Sequence, residues 1–225
     1  MKRSMINNEI SQALKIFKDL KIYLPSFAIW PPKKWEEDNS DFYRIRLNGL
    51  GWDITDFGSQ EFNRIGAVIL TLRNGNCYNV DEGTPYAEKL IILKPGQEIP
   101  LHFHWKKTED IINRGGGIFM IQLYQSDINN HVDFSKNSIV YCDGIKRVIP
   151  AGGILELLPG DSITLTPNLF HRFWAKEEDD ILVLGEVSSV NDDKTDNYFN
   201  DPAQRYSTIE EDEPSKYLLC NEYMI

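Results

Sequence analysis

From Ile65 to Val187 the chain is written as short apolar or β-branched runs cut by Gly, Pro, Asn and Asp. IGAVILTL stops at RNGN, AEKLIIL at KPGQ, IFMIQLY before SDINN, SIVYCD at GIKR, GILELL at PGD, SITLTP at NLFH and DILVLGEV at SSVNDD. Runs of this length, at this spacing, predict seven strands of an all-β barrel or sandwich. The first residues follow another period. Ile10, Ala13, Leu14, Phe17 and Leu20 recur at helical spacing between Asn8 and Lys21, with Asn7 or Asn8 as N-cap and Pro25 beyond the end. One amphipathic helix is expected there, either packed against the body or serving as a dimer contact. Between Pro25 and Trp52, the paired prolines of PSFAIWPPKKW exclude helix and central strand, so this stretch is expected to wrap across a surface.

A chain of 225 residues with this pattern is expected to form one domain: a helix and wrapping extension over 1–64, a barrel core over 65–190 and a C-terminal extension over 191–225. Charge removes one class of partner. Against 24 Lys+Arg stand 34 Asp+Glu, and no basic run offsets the net −10, which excludes nucleic acid. No window approaches the roughly 20 apolar residues of a membrane span, and the opening MKRSMINNEISQALKIF lacks a signal-peptide core. A soluble, cytoplasmic protein is expected. Cys77, Cys142 and Cys220 form no CxxC pair and read as reduced, mostly packed thiols. The acidic cluster IEEDEPSK reads as a solvated tail or, through Glu210 and Glu211, as part of the mouth of a site.

Chemistry concentrates at the histidines. His102 and His104 lie two apart in IPLHFHWKKTED, so on a strand both imidazoles share a face, and Glu109 follows at a distance that lets the chain turn back to it. His131, in a polar stretch, reads as a surface residue, which leaves His171 in TPNLFHRFW as the fourth ligand. A His3Glu set suits Mn, Fe, Co, Ni or Zn, and the absence of thiolate argues against a structural zinc. Four protein ligands on a six-coordinate ion leave two positions for water or a chelating substrate.

A single HxH is weak; the full spacing is not. Gly96, five residues, His102, one, His104, four, Glu109, six, Gly116 resembles the first cupin motif at every fixed position, which implies a cupin double-stranded β-helix, a jelly-roll barrel. The second cupin motif is matched less well. Gly153, Pro159 and His171 are present, but PNLFH is one residue short of the motif and Ala175 stands where it carries Asn, so the alignment of that strand stays open.

Longer strings narrow the family. YAEK, PLHFHWKKTEDIINRGGG, GEVSSVNDDKTDN and EEDEPSKYLLCNEY, together with the opening MKRS and its helix, closely resemble bacterial D-lyxose isomerases over the whole chain. The resemblance implies reversible conversion of D-lyxose to D-xylulose, often with D-mannose to D-fructose, through a metal-stabilised enediolate with Mn2+ or a similar ion, in a homodimer. The residues can support such chemistry. A metal with two open positions can hold a carbonyl and the adjacent hydroxyl, and a side-chain base would carry a proton between C1 and C2. Glu186 in LVLGEV is the leading base, because alternate residues of a barrel strand point inward. Lys89 is placed to bind substrate oxygen or assist ring opening, and Lys107 and Asp193 to bind substrate. A neutral sugar is expected, since no Arg/Lys cluster marks a phosphate. Trp52, Phe103, Trp105, Phe173 and Trp174 are suited to stacking on a sugar, although Phe103 and Trp105 alternate with the ligands and should face the other side. Two other readings use the same residues: an Fe(II) cupin dioxygenase, and a non-catalytic sugar-binding cupin.

Overall fold

The computed structural model describes residues 1–37, 42–79 and 82–223. Helix α1 (Arg3–Asp19) is followed by a 3-10 turn (Ser26–Ile29) and two short helices, α2 (Pro32–Trp35) and α3 (Tyr43–Leu47). The strands are β1 (Gly51–Thr55), β2 (Ala67–Gly75), β3 (Gly83–Leu93), β4 (Glu98–His104), β5 (Glu109–Gly116), β6 (Phe119–Ser126) and β7 (Val132–Asp133). They continue with β8 (Ser138–Cys142), β9 (Ile145–Ile149), β10 (Ile154–Leu157), β11 (Ser162–Leu165), β12 (Leu169–Ala175), β13 (Leu182–Ser189) and β14 (Asn197–Phe199).

These strands form two antiparallel sheets. One has eight strands in the order β1-β2-β3-β13-β5-β11-β8-β9; the other has six, β10-β6-β12-β4-β14 with β7 beside β6 as an addition to its path. Alternation decides which side chains meet between them. Ile69, Ile91, Leu184, Ile111 and Ile163 from the larger sheet pack on Ile99, Ile121, Leu123 and Phe173 from the smaller. The opposite parity of the larger sheet forms a second core. Trp52, Ile54, Val68, Leu70, Leu90, Ile92 and Val183 point outward and are covered by Ile6, Ile10, Ala13 and Phe17 of α1. This is the cupin barrel, with one face roofed by the helix. Among the described residues, no helix is long and apolar enough to cross a membrane.

The strand system reaches beyond the expected 65–190. β1 joins the larger sheet from one side of that range and β14 the smaller sheet from the other. The prolines of PSFAIWPPKKW do not exclude helix either: Pro32 opens α2 as its first residue, where a missing N–H costs nothing. Nor does α1 start near Asn8. It begins at Arg3 because its cap comes from the other end of the chain: Arg3 N donates to Glu210 O, and Ser4 N to Asp212 Oδ1 at 2.9 Å. Asn7 is fully buried inside the helix, where its amide donates to Glu213 Oε1 at 2.6 Å and Pro214 O at 3.0 Å. The acidic cluster is therefore solvated, as one reading had it, but tethered to α1, and neither Glu210 nor Glu211 lines the cavity described below. Glu211 and Glu222 both pair with the guanidinium of Arg3, whose side chain is only 2% exposed.

A clear consequence attaches to that pair. Arg3→Met removes a buried cation from between two carboxylates that are 59% and 22% exposed, and the loss of these charge-assisted hydrogen bonds costs about 1–2 kcal/mol. Urea unfolding should show a loss of stability of that size, read as a lower midpoint, together with faster proteolysis between 208 and 223; an unchanged midpoint would mean that the clamp contributes nothing.

The two glycines of the spacing motif meet a backbone requirement. Gly96 and Gly116 have φ of +73° and +81°, and a Cβ on Gly116 would lie 1.8 Å from Ile181 O. The first turns the chain into β4, and the second ends β5 against its neighbour. Cys142 is buried, Cys220 half-buried and Cys77 exposed, all as free thiols.

Candidate metal centre

β4 and β12 lie side by side in the smaller sheet with His171 directly opposite His102. The pairing passes from His171–His102 to Phe173–Ile99, so β4 has one extra residue at the Pro100–Leu101 step. A proline, which has no N–H for the ladder, is tolerated at such a bulge. The result of this register shift is that His102, His104 and His171 all turn into the barrel, each less than 10% exposed, and their ring nitrogens fall within 4.8 Å of one another.

Two of the imidazoles are oriented by backbone. Nδ1 of His102 lies 2.7 Å from Pro100 O, and Nδ1 of His171 lies 2.9 Å from Leu169 O. A carbonyl only accepts, so in each ring Nδ1 carries the proton and Nε2 presents its lone pair to the interior. Glu109, at the head of β5, falls outside the three-imidazole cluster, yet its Oε1 lies 3.2 Å from His171 Nε2 and 3.4 Å from His104 Nε2. Glu109 Oε1 and His171 Nε2 are both buried and have no hydrogen-bond partner among the described residues. Lone pairs facing one another at that distance repel unless a cation lies between them. Ligands about 2.1 Å from one ion, at angles between 90° and 109°, stand about 3.0–3.4 Å apart. The donor set and its spacing fit a divalent metal.

Charge supports the same fit. Burial, with His171 and His104 nearby, pushes the His102 imidazolium well below its ordinary range; burial and Lys107 lower His104 as well. Both rings are neutral at pH 7, as ligands must be. Burial pushes the Glu109 carboxyl up, but the Lys107 ammonium outweighs it and holds the group well below the usual carboxylate range. This has a measurable sign. Below the ordinary value of 6.5, the unfolded chain takes protons that the folded rings refuse, so stability falls as pH falls. EDTA-treated protein should lose stability from pH 7.5 to 5.5, by at most about 1.4 kcal/mol per pH unit for each histidine. A flat urea midpoint across that range would show that the rings are not held neutral.

Lys107 sits in the turn between β4 and β5. That turn is held by Asp196, which accepts from Lys106 N at 2.8 Å and Lys107 N at 3.1 Å. Folding back, the 3% exposed side chain places Nζ 2.7 Å from Glu109 Oε2 and 2.9 Å from Glu186 Oε1. Glu186 points inward from β13 by the same parity as Leu184, opposite Lys89 on β3. Lys89 Nζ lies 3.5 Å from Glu186 Oε1 and 3.8 Å from Asp193 Oδ1, and donates to Asn191 Oδ1 at 2.7 Å. Burial raises Glu186, but Lys107 and Lys89 prevail and keep it ionised. Asp193 is likewise raised by burial, and its net shift downward is due to Arg205 and Lys89.

All eight residues singled out in the sequence therefore meet in one chain of contacts, and seven of them line a single cavity with about 40 Å³ open to water; His171 stands behind Glu109. Besides apolar side chains of the barrel, the cavity is also lined by Asn197, Phe199 and Arg205, which the sequence did not single out. They lie in the C-terminal stretch, where no periodicity or motif marks a site; only the register of β14, with Phe199 opposite His102 and Asn197 opposite His104, brings two of them in. Of the proposed stacking aromatics, Phe173 lines the cavity. Trp52 belongs to the second core, its indole donating to Ala28 O, while Phe103 and Trp105 pack with Tyr198 outside the barrel, as their alternation required. Trp174 lies under the guanidinium of Arg172. His131 is 73% exposed.

A family model described as D-lyxose isomerase matches residues 1–223. The D-lyxose/D-mannose isomerase of Escherichia coli O157:H7 is 42% identical over 224 residues, covering 99% of this chain and 98% of its own. That of Serratia proteamaculans is 40% identical over 225 residues, covering 100% and 98%. In fold, the chain is similar to the L-ribose isomerase of Cellulomonas parahominis, with a TM-score of 0.61 at 18% identity over 93% of this chain and 98% of that one. The chain belongs to the D-lyxose isomerase family.

Proposed function

We propose that this protein is a metal-dependent aldose–ketose isomerase that interconverts D-lyxose and D-xylulose, and D-mannose and D-fructose. Mn2+ is the proposed ion, with Co2+, Fe2+, Ni2+ or Zn2+ as substitutes on the same ligands. His102, His104, His171 and Glu109 would hold it. When bound, a divalent ion supplies Lewis-acid polarisation of the sugar carbonyl.

The rest of the chemistry belongs to side chains of this chain. Glu186, ionised and buried, is the base: it takes the proton from C2 of the open-chain aldose and returns it to C1, while the hydroxyl proton passes from O2 to O1. Lys107 separates two carboxylates with different tasks, since its ammonium reaches Glu109 on one side and Glu186 on the other. That single contact carries the reading: it keeps Glu109 free to ligate through Oε1 and fixes Glu186 as a separate group. Lys89 and Asp193 are the proposed substrate-binding pair on the other side of the base.

The cavity suits an uncharged sugar. Its three cations, Lys89, Lys107 and Arg205, are outnumbered by the four carboxylates that they contact, Glu109, Glu186, Asp193 and Asp53, so the cavity offers no net positive charge to a phosphate. The one-domain organisation is supported by β1 and β14, which tie both extensions into the two sheets. The homodimer rests on the family resemblance. The test is ketose formation from a panel of free aldoses with Mn2+ supplied: D-lyxose and D-mannose should be converted, and protein that holds stoichiometric metal yet converts neither would refute the proposal.

A further inference from the structure

Among the described residues, few buried side-chain polar atoms lack a hydrogen-bond partner, and two of them, His171 Nε2 and Glu109 Oε1, are accounted for by the metal ligands. A third lies in the same cavity and is not. Arg205 comes from the C-terminal stretch, and its side chain is 13% exposed. Nε donates to Asp193 Oδ1 at 3.1 Å, and Nη2 lies 2.6 Å from Asp53 Oδ2 on β1. That close approach is an ion pair, so Asp53 is not the group in want of a partner although its hydrogen-bond angle is poor. Nη1 is buried and makes no hydrogen bond among the described residues, in a side chain that lines the cavity.

A buried donor left unpaired is costly, and the cost is acceptable where a ligand completes it. The position says which part of the ligand. Contacts run from the imidazoles through Glu109, Lys107, Glu186, Lys89 and Asp193 to Arg205, so the guanidinium meets the metal ligands only through this series of side chains and stands at its far end. The two carboxylates hold its plane and leave Nη1 as the free prong of the fork.

We propose that Arg205 is a specificity-determining residue that donates from Nη1 to a hydroxyl at C4 or C5 of the open-chain sugar whose C1–C2 end is held at the histidines. The assignment rests on the isomerase reading. It predicts that wild-type enzyme loses about 10- to 100-fold in kcat/KM on either 4-deoxy- or 5-deoxy-D-lyxose relative to D-lyxose, the range for a hydrogen bond to a charged group. Arg205→Lys keeps a cation between Asp53 and Asp193 but lacks the prong. It should lose a similar factor on D-lyxose and less than about threefold more on the affected deoxy sugar, because the partner is already gone. Equal losses by Arg205→Lys on all three sugars would mark a merely structural residue and overturn the assignment. Equal use of all three sugars by wild-type enzyme would overturn it even if the variant does not fold. Failure of wild-type enzyme on D-lyxose itself would instead remove the isomerase reading, and this assignment with it.

Discussion

His102→Ala is expected to empty the metal centre and end turnover together. The ring is one of three imidazoles converging within 4.8 Å, and its Nδ1 is committed to Pro100 O, so only Nε2 serves the interior. Removing it leaves His104, His171 and Glu109 with one position unfilled in a buried site. Even changes to groups behind the ligands cost 10–100-fold in affinity, so loss of a ligand itself should cost at least about 10²-fold. Turnover should fall by about 10³-fold or more, since Lewis-acid stabilisation is worth several kcal/mol. Metal analysis by atomic emission after dialysis, beside a ketose assay, reads both. Full activity without metal would separate the histidine cluster from the reaction.

The second large effect separates chemistry from metal binding. Glu186→Gln keeps the shape and the hydrogen-bonding oxygen but removes the base, and loss of a general base costs about 10²–10⁴-fold in kcat. Metal should stay, because Lys107 retains Glu109 at 2.7 Å and Glu109 Oε1 still faces His104 and His171. The same variant distinguishes two roles for this carboxylate. If it comes off the column without metal, Glu186 supports the ligands and the base must be sought elsewhere among the inward-facing groups.

How much of this could be read from the chain follows from how local each cause is. Strand alternation is local, so the inward direction of Glu186 and the outward direction of Phe103 were legible. The ligand spacing is local too, because Gly96 and Gly116 mark backbone turns that only glycine adopts easily. Where the cause lies far along the chain, the reading failed. The start of α1 is set by Asp212 and Glu210, more than 200 residues away, and Asn7, a plausible cap by sequence, is instead an anchor for the tail. Arg205 and Phe199 enter the cavity through the return of an irregular segment, which carries no periodic signal. Short strands such as β1 and β14 were hidden for a related reason: each is held by its neighbour in the sheet more than by its own residues.

The central claim is that one ion at the histidine cluster enables the isomerisation, and a metal titration tests it most directly. Protein stripped with EDTA is supplied with increasing Mn2+, and bound ion and D-xylulose formation from D-lyxose are measured on the same samples. The predicted result is no ketose without metal, then turnover rising in proportion to bound Mn2+ and levelling at one ion per chain. Full turnover in the stripped protein, or one bound ion per chain with no ketose formed, would contradict it.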